Sequence, residues 1–445
     1  MRTTELAIDK RSEYIHIKGK HKKQIKCDAD SIAGAISQRA CVYCGARVVL
    51  NPVTDAVHLV HGPIGCASYT WDIRGSLSSG AELYRNSFST DLKEDDVIFG
   101  GERKLSRAID QLVNKYNPRL IFVYSTCIVG VIGDDLEAVC KKAAQKHNIE
   151  IIPVQSSGFI GNKAAGYRAA CDALLRLIKP QEKVVKEEKV INYLGDFNLA
   201  GEAWIIKNYL QRIGIAVNVT YTGDANYHSL KKAARASLNI VQCAGSMIYL
   251  AKKMEELYHI PFIRVSFLGI EDTSNSLRKI AAALKDKEII QRAEELIKKE
   301  TKKILPVINS YRKKLSGKKA AVYVGGGFKA ISLIKQFREL GIEVVTVGTQ
   351  TGRREEYETI TDLVQDGTVI LDDANPAELE KFTVKQGADL LVGGVKERPL
   401  AYKLGMAFID HNHERKHPLS GFVGAVNFAK EVYSTVCSPV WKFVR

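Results

Sequence analysis

The chain has 445 residues, 45% of them hydrophobic and 26% charged. These are ordinary globular proportions, which exclude a mini-scaffold, a fibrous repeat and a wholly disordered chain and leave room for about three domains at roughly 150 residues each. The formal charge of +15 is dispersed over several amphipathic stretches instead of one basic block with interleaved aromatics, a pattern that favours a solvated basic surface or an acidic protein partner over nucleic acid.

Residues 1–30 read as an N-terminal extension with no apolar core or small-residue cleavage site, and no apolar run approaches the roughly 20 residues of a membrane helix. The expectation is a soluble, cytoplasmic protein without membrane or nucleic-acid contacts. Across 31–185, β-branched runs at 56–60, 120–124 and 149–154 predict strands, and the periodicity of 101–116 and 135–147 predicts helices between them. A charged stretch, 179–189, reads as a solvated connection. The alternation then restarts: strand 190–194, helix 201–213, strand 215–221, helix 228–236, strand 239–243 and strand 261–265. From about 274 to 315 the pattern is helical, with Lys and Glu on one face and Ile, Leu and Ala on the other, and predicts a long amphipathic connector closing a second unit, 190–315. A third unit, 317–445, opens with strand 320–324, the run Gly325, Gly326, Gly327 and a helix to 340. Strands at 343–347, 368–371 and 389–393 follow. Three α/β units with parallel sheets therefore succeed one another, and ligands of such sheets bind beyond the carboxyl ends of the strands.

Several chemistries are denied. No window matches G-x-x-x-x-G-K-[S/T], so ATP hydrolysis belongs to a partner if it occurs at all. Ala330 stands where the last glycine of G-x-G-x-x-G falls, and no acidic residue takes a clear ribose position, which favours a tight turn over a dinucleotide site. There is no G-x-S-x-G. His413-Glu-Arg-Lys-His417 matches H-E-x-x-H, but Pro418 follows at once and the zinc reading needs a helix there.

Nine cysteines, an odd number spread irregularly, do not suggest a disulfide framework. Cys66, in His61-Gly-Pro-Ile-Gly-Cys66, and Cys127, in Tyr124-Ser-Thr-Cys127, fall just past two strands expected to be neighbours, and Cys41 lies at the entry to the same unit. Thiolates converging there are soft donors suited to iron-sulfur clusters; the alternative is three unrelated loop cysteines. Gly65, Gly130 and Gly133 would let backbone approach a bulky inorganic ligand. Three ligands are one short of four. The fourth would come from Cys44, from solvent or from another chain.

These residues carry a resemblance. Ala33-Gly-Ala-Ile-Ser-Gln-Arg-Ala-Cys41, His58-Leu-Val-His-Gly-Pro-Ile-Gly-Cys66, Trp71-Asp-Ile-Arg-Gly-Ser76, Asp95-Asp-Val-Ile-Phe-Gly-Gly-Glu102 and Ser125-Thr-Cys-Ile-Val-Gly-Val-Ile-Gly-Asp-Asp135 together resemble the nitrogenase molybdenum-iron protein family. Asp410-His-Asn-His-Glu-Arg-Lys416 and the ending Ser438-Pro-Val-Trp441 are similar to its cofactor-assembly branch, homologues of the α subunit. The resemblance spans nearly the whole chain and implies three Rossmann-like domains with parallel sheets, as in nitrogenase component 1.

It further implies a heterotetramer of two such chains with two NifN chains, and a 4Fe-4S cluster at their interface held by Cys41, Cys66 and Cys127, NifN supplying the missing ligand and Cys44 standing beside the site. Cys243 resembles the cysteine that anchors the large cofactor of the catalytic relatives, and Arg74, Lys396 and Gly325 to Gly327 match positions around that cavity. Asn412 takes the place of the histidine that ligates molybdenum, although the register of His411 to His413 is open. The implied role is a scaffold, not an enzyme: it receives an iron-sulfur carbide precursor from NifB, holds it while molybdenum and homocitrate are inserted with the iron protein NifH, and passes the product to apo-nitrogenase. A catalytic nitrogenase-like α subunit and the vanadium-system counterpart share many of these residues, and a metal-free solute-binding or regulatory α/β protein is the alternative from another class.

Overall fold

Runs of buried β-branched residues set the framework. The computed structural model describes residues 11–20, 24–27, 40–71, 76–79, 86–178, 186–412, 415 and 417–444. Its strands form three sheets and its contacts two packing units, Ala40–Arg264 and a second made of Val265–Arg445 with Met1–Arg39.

The unit Ala40–Arg264 contains two four-stranded parallel sheets. In the first the order is Ser87–Ser89, Val57–His61, Leu120–Ser125, Glu150–Val154. In the second it is Ala216–Thr222, Glu187–Asp196, Ala236–Val241, Phe262–Arg264. Every residue of Val57–His61 and Leu120–Ser125 is buried, as expected of strands covered on both faces. Leu59, Ile121 and Val123 face Leu105, Ile109 and Leu136. On the other face Leu50, Tyr124 and Leu174 join Leu194, Tyr221 and Met247, so both sheets share one core.

That shared core places the helix Val42–Leu50 against the helix Lys163–Leu177, and the two touch through glycine. A Cβ on Gly45 would fall on the Lys163 carbonyl, and one on Gly166 on the Val42 carbonyl and within 2.7 Å of the Ala46 nitrogen. The backbones themselves are in contact, and this fixes the first turn of the helix that follows Cys41.

The other unit has a six-stranded sheet ordered Ile15–Ile17, Val369–Asp372, Glu343–Thr349, Lys319–Val324, Leu390–Gly393, Ala407–Asp410, parallel except for its first strand. The N-terminal stretch read from sequence as an extension thus supplies an edge strand. Arg11, buried, secures it by pairing with Glu378 at 3.0 Å and donating to the Asp373 carbonyl.

Some expected elements change. The segment 228–236 is two short turns, Tyr227–Lys231 and Ala233–Arg235, and Ala236 already begins the next strand. The predicted connector is two helices, Gly269–Leu284 and Lys287–Leu315, broken where Lys285 turns left-handed (φ 55°) and Asp286 caps the second helix. Gly269–Leu284 packs on the helices Gly327–Glu339 and Gly421–Val436 of the six-stranded unit, and Lys287–Leu315 packs on Gly421–Val436. No helix among the described residues is long and apolar enough to cross a membrane.

Overpacking the glycine contact has a definite sign. Gly166→Ala forces backbone against backbone, so we expect about 1–3 kcal/mol of destabilisation, read as a lower urea midpoint with an unchanged slope.

Candidate metal centre

Each of the three cysteines singled out in the first unit stands at a helix start. Cys41 is the N-cap of Val42–Leu50, Cys66 is the third residue of Ile64–Trp71, and Cys127 is the first residue of Cys127–Ile132. The last two helices follow the adjacent parallel strands Val57–His61 and Leu120–Ser125. Cys41 is drawn in by an isolated bridge to Asn162, just beyond the next strand, Glu150–Val154. Helix starts leave N–H groups without intrahelical partners, which favours anionic ligands nearby.

Cys66 is half-buried, and its thiol is pushed up from 9.0 first by burial and then by Cys127 and Cys41. Cys66 is therefore close enough to both Cys127 and Cys41 to feel their charge. Among the described residues, no three of His, Cys, Asp or Glu form the group a single metal ion takes. Donor chemistry and exposure fit an iron-sulfur group: three soft thiols, two of them exposed, with N–H donors on sulfur. The Gly158 amide donates to Cys127 Sγ at 3.3 Å, and the Cys44 amide to Cys41 Sγ at 3.5 Å.

The loops that carry Cys66 and Cys127 are tied from beneath. His61, wholly buried, contacts Thr90 Oγ1 through Nδ1 at 3.0 Å and Asp134 Oδ2 through Nε2 at 2.9 Å. Burial holds its pKa below 6.5 against the opposing pull of Asp134. Asp134 also accepts the Gly101 amide at 3.0 Å, and Thr126 Oγ1 donates to the His61 carbonyl at 3.0 Å. A Cβ on Gly62 would overlap the Thr126 side chain, so this close passage needs glycine. The glycines expected to approach a ligand have mixed fates. The Cβ direction of Gly65 is open, that of Gly130 is filled by Ser157 Oγ at 2.7 Å, and Gly133 (φ 76°) ends its helix in the left-handed region. Gly158 makes the close approach instead, since a Cβ there would lie 2.9 Å from Cys127 Sγ.

Cys243 lies two residues past Ala236–Val241, not at the strand's end, and caps the helix Ala244–Tyr258. Gly195 (φ 85°), on the neighbouring strand, leaves room for it, as a Cβ there would meet the Cys243 nitrogen at 2.6 Å. In the six-stranded unit three adjacent strands, Lys319–Val324, Leu390–Gly393 and Ala407–Asp410, end beside one another, which gathers Gly325 to Gly327, Lys396 and Asn412 at one edge. The Cβ directions of Gly325 and Gly326 are open, whereas Gly327 packs on Glu356. Lys396 is exposed. Asn412 is buried, its Oδ1 accepting from Lys329 Nζ at 3.3 Å. His411 beside it is wholly buried, far below pKa 6.5 through burial, and neither ring nitrogen has a hydrogen-bond partner among the described residues.

A family model for nitrogenase component 1 type oxidoreductases matches residues 41–437. The chain belongs to the nitrogenase component 1 family. Its relatives include the nitrogenase iron-molybdenum cofactor biosynthesis protein NifE of Clostridium pasteurianum, 62% identical over 444 residues and covering 98% of this chain and 97% of the relative. NifE of Methanosarcina barkeri is 57% identical over 450 residues, with 98% and 97% covered. Among solved structures, nitrogenase Cp1 at pH 6.5 matches with a TM-score of 0.90 at 30% identity, covering 99% of this chain and 97% of that one.

Within this component 1 chain, Arg74, His413 and Glu414 lie outside the described residues. His417 and Pro418 belong to no helix, which removes the second half of the H-E-x-x-H pattern as a helical motif. Sequence reading passed over Asn162, Gly158, Gly62, His61 and Asp134 in the first unit and Lys329 and Glu397 in the second. The run Ser156-Ser-Gly-Phe-Ile-Gly161 just past a strand was the available signal for the first two.

Glu397 offers a pH test. Burial raises its carboxyl from 4.5 to about 7, against the Gly394 amide that donates to it at 2.7 Å. Between about pH 4.5 and 7 the folded chain holds a proton here that the unfolded chain has released, so stability falls as pH rises across that window. Glu397→Gln removes the dependence. Relative to this variant, the wild type should lose about 3 kcal/mol between pH 4 and 8, measured by denaturant titration at several pH values.

Proposed function

We propose that this component 1 chain is a scaffold for nitrogenase iron-molybdenum cofactor assembly. In this reading two copies pair with two NifN-type chains. The complex receives an iron-sulfur carbide precursor from NifB, holds it while molybdenum and homocitrate are inserted with NifH, and delivers the product to apo-nitrogenase. The names of the full-length relatives support the assembly role. The observation that carries the metal and partner assignments is the surface around the three thiols. Ile64 and Tyr69 stand out from the helix bearing Cys66, Val131 (67% exposed) from the helix bearing Cys127, and Phe159 (71%) and Ile160 from the turn that touches its sulfur. An apolar collar around three exposed or half-exposed ligands suits burial under a homologous chain that brings the fourth.

Cys41, Cys66 and Cys127 are the proposed ligands of a resident 4Fe-4S cluster shared with that chain. When bound, the cluster supplies one-electron transfer. The protein's own work is positional: the His61–Asp134 contact fixes the two loops, the Gly158 and Cys44 amides direct N–H groups at sulfur, and the collar excludes water. Amides on sulfur and exclusion of solvent are levers on cluster potential.

The precursor is cargo. By family resemblance we assign Cys243 as a thiolate anchor for it. Taken by itself, the edge of the six-stranded sheet offers carboxylates such as those of homocitrate the cationic donors Lys396 and Lys329, with open space at Gly325 and Gly326. Asn412 contributes an amide, a far weaker metal donor than imidazole, which suits a site that must release what it holds. Arg74 is assigned to the same cargo by family resemblance.

The test is anaerobic co-expression with the NifN-type partner in cells lacking NifB, followed by iron analysis and electron paramagnetic resonance. About four irons per heterodimer are expected, lost in Cys127→Ala. Iron-free wild type, or iron and spectrum unchanged in Cys127→Ala, overturns the cluster assignment. In Gly158→Ala the new methyl displaces Cys127 Sγ from its amide donor. We expect the iron to be retained and the reduction potential to fall, as read by redox titration.

A further inference from the structure

The C-x-x-C pair has a second member that the ligand set does not use. Cys41 is exposed and has extended backbone (ψ 172°) at the N-cap of Val42–Leu50, while Cys44 sits in the first turn, 3% exposed. The Cys44 amide donates to Cys41 Sγ at 3.5 Å. Residues three apart at a helix start are neighbours, within the Cα separation a disulfide tolerates, roughly 4.4–6.8 Å. One thiol is reachable from solvent and the other lies directly behind it, the layout of a dithiol that reacts with disulfides through its outer sulfur.

We propose that in the cluster-free chain Cys41 and Cys44 form a site of reversible thiol–disulfide exchange with low-molecular-weight disulfides. The Cys41 thiolate attacks one sulfur of the incoming disulfide, whose S–S bond breaks, releasing one thiolate and leaving a mixed disulfide on Cys41. Cys44 gives up its proton and attacks Cys41 Sγ, and the second thiolate leaves. Two protein thiols are oxidised to one disulfide while the small disulfide is reduced to two thiols, so no other oxidant is needed.

Cys66 also lies near Cys41, with Cys127 near Cys66, but each belongs to a loop held by the contacts through Thr126, His61 and Asp134. Cys44 needs only a turn of its own helix to close. The consequence rests on the reading of Cys41 as a ligand: oxidation withdraws one sulfur from the set and reduction restores it, which would tie cluster loading to the thiol poise of the cell.

The experiment takes the full-length, cluster-free chain, equilibrates it anaerobically with mixtures of oxidised and reduced glutathione, alkylates the remaining thiols and maps peptides by mass. The expected result is the loss of two thiols, both in the peptide holding Cys41 and Cys44, restored by dithiothreitol. Cys44→Ala should instead retain one glutathione on Cys41. Alkylation of both residues after oxidation, a Cys41 disulfide to Cys66 or Cys127, or glutathione persisting on wild-type Cys41 would each overturn the proposal. The wild-type map decides the matter even if the variant fails to fold. Reconstitution with ferrous iron and sulfide beside the partner then separates the two readings. Cluster uptake by reduced but not oxidised chain supports the link between oxidation and loading, whereas no uptake by the reduced chain removes the ligand assignment and leaves the disulfide map standing.

Discussion

A parallel sheet delivers the carboxyl ends of all its strands to one edge, and the chemistry of this chain depends on that constraint. Cys66 and Cys127 are brought together because their strands are neighbours in register. Gly325, Lys396 and Asn412, from positions far apart in the chain, meet for the same reason. Cys66, Cys127 and Gly327 lie in the first turn of a helix, so these positions are accompanied by unpaired backbone donors. A sheet with mixed strand directions would scatter the same residues over two edges.

The arrangement has a cost that the fold meets with glycine and with buried polar contacts. Burial first, and then the neighbouring thiols, raise Cys66 above its ordinary value, and the loops that hold these thiols would spread unless anchored. His61 and Asp134 provide that anchor below, and the glycine crossing between Val42–Leu50 and Lys163–Leu177 provides it from the side. Neither feature touches a ligand position directly. Both decide where the three thiols stand.

Much of the framework was legible because its strands are short, continuous β-branched runs, and Leu120–Ser125 or Lys319–Val324 differ from expectation by a residue at most. That Cys66 and Cys127 follow neighbouring strands was legible from the runs that precede them. The strand Ile15–Ile17 was not, since three residues at a sheet edge carry too little pattern, and its partner is Val369–Asp372. The break at Lys285 was also hidden, because a left-handed lysine has no signature in a Lys-rich helical stretch. Lys329 escaped notice as one of many lysines on a helix; only its reach to Asn412 sets it apart. The turn from Ser156 to Asn162 was missed because its importance lies in its neighbours in space, Cys127 and Cys41.

The clasp of Arg11 on Glu378 bears on the order in which the chain becomes structured during synthesis. The unit Ala40–Arg264 is continuous and has everything it needs once residue 264 has emerged, whereas the strand Ile15–Ile17 and Arg11 must wait for partners near residues 370–378 and for the last strand, Ala407–Asp410. At about 5–20 residues per second, the interval is on the order of ten to thirty seconds, during which an earlier segment of the nascent chain stays unpaired while a later one is already folded. The thiol-bearing unit thus has all its strands while Ile15–Ile17 still waits for its partner Val369–Asp372.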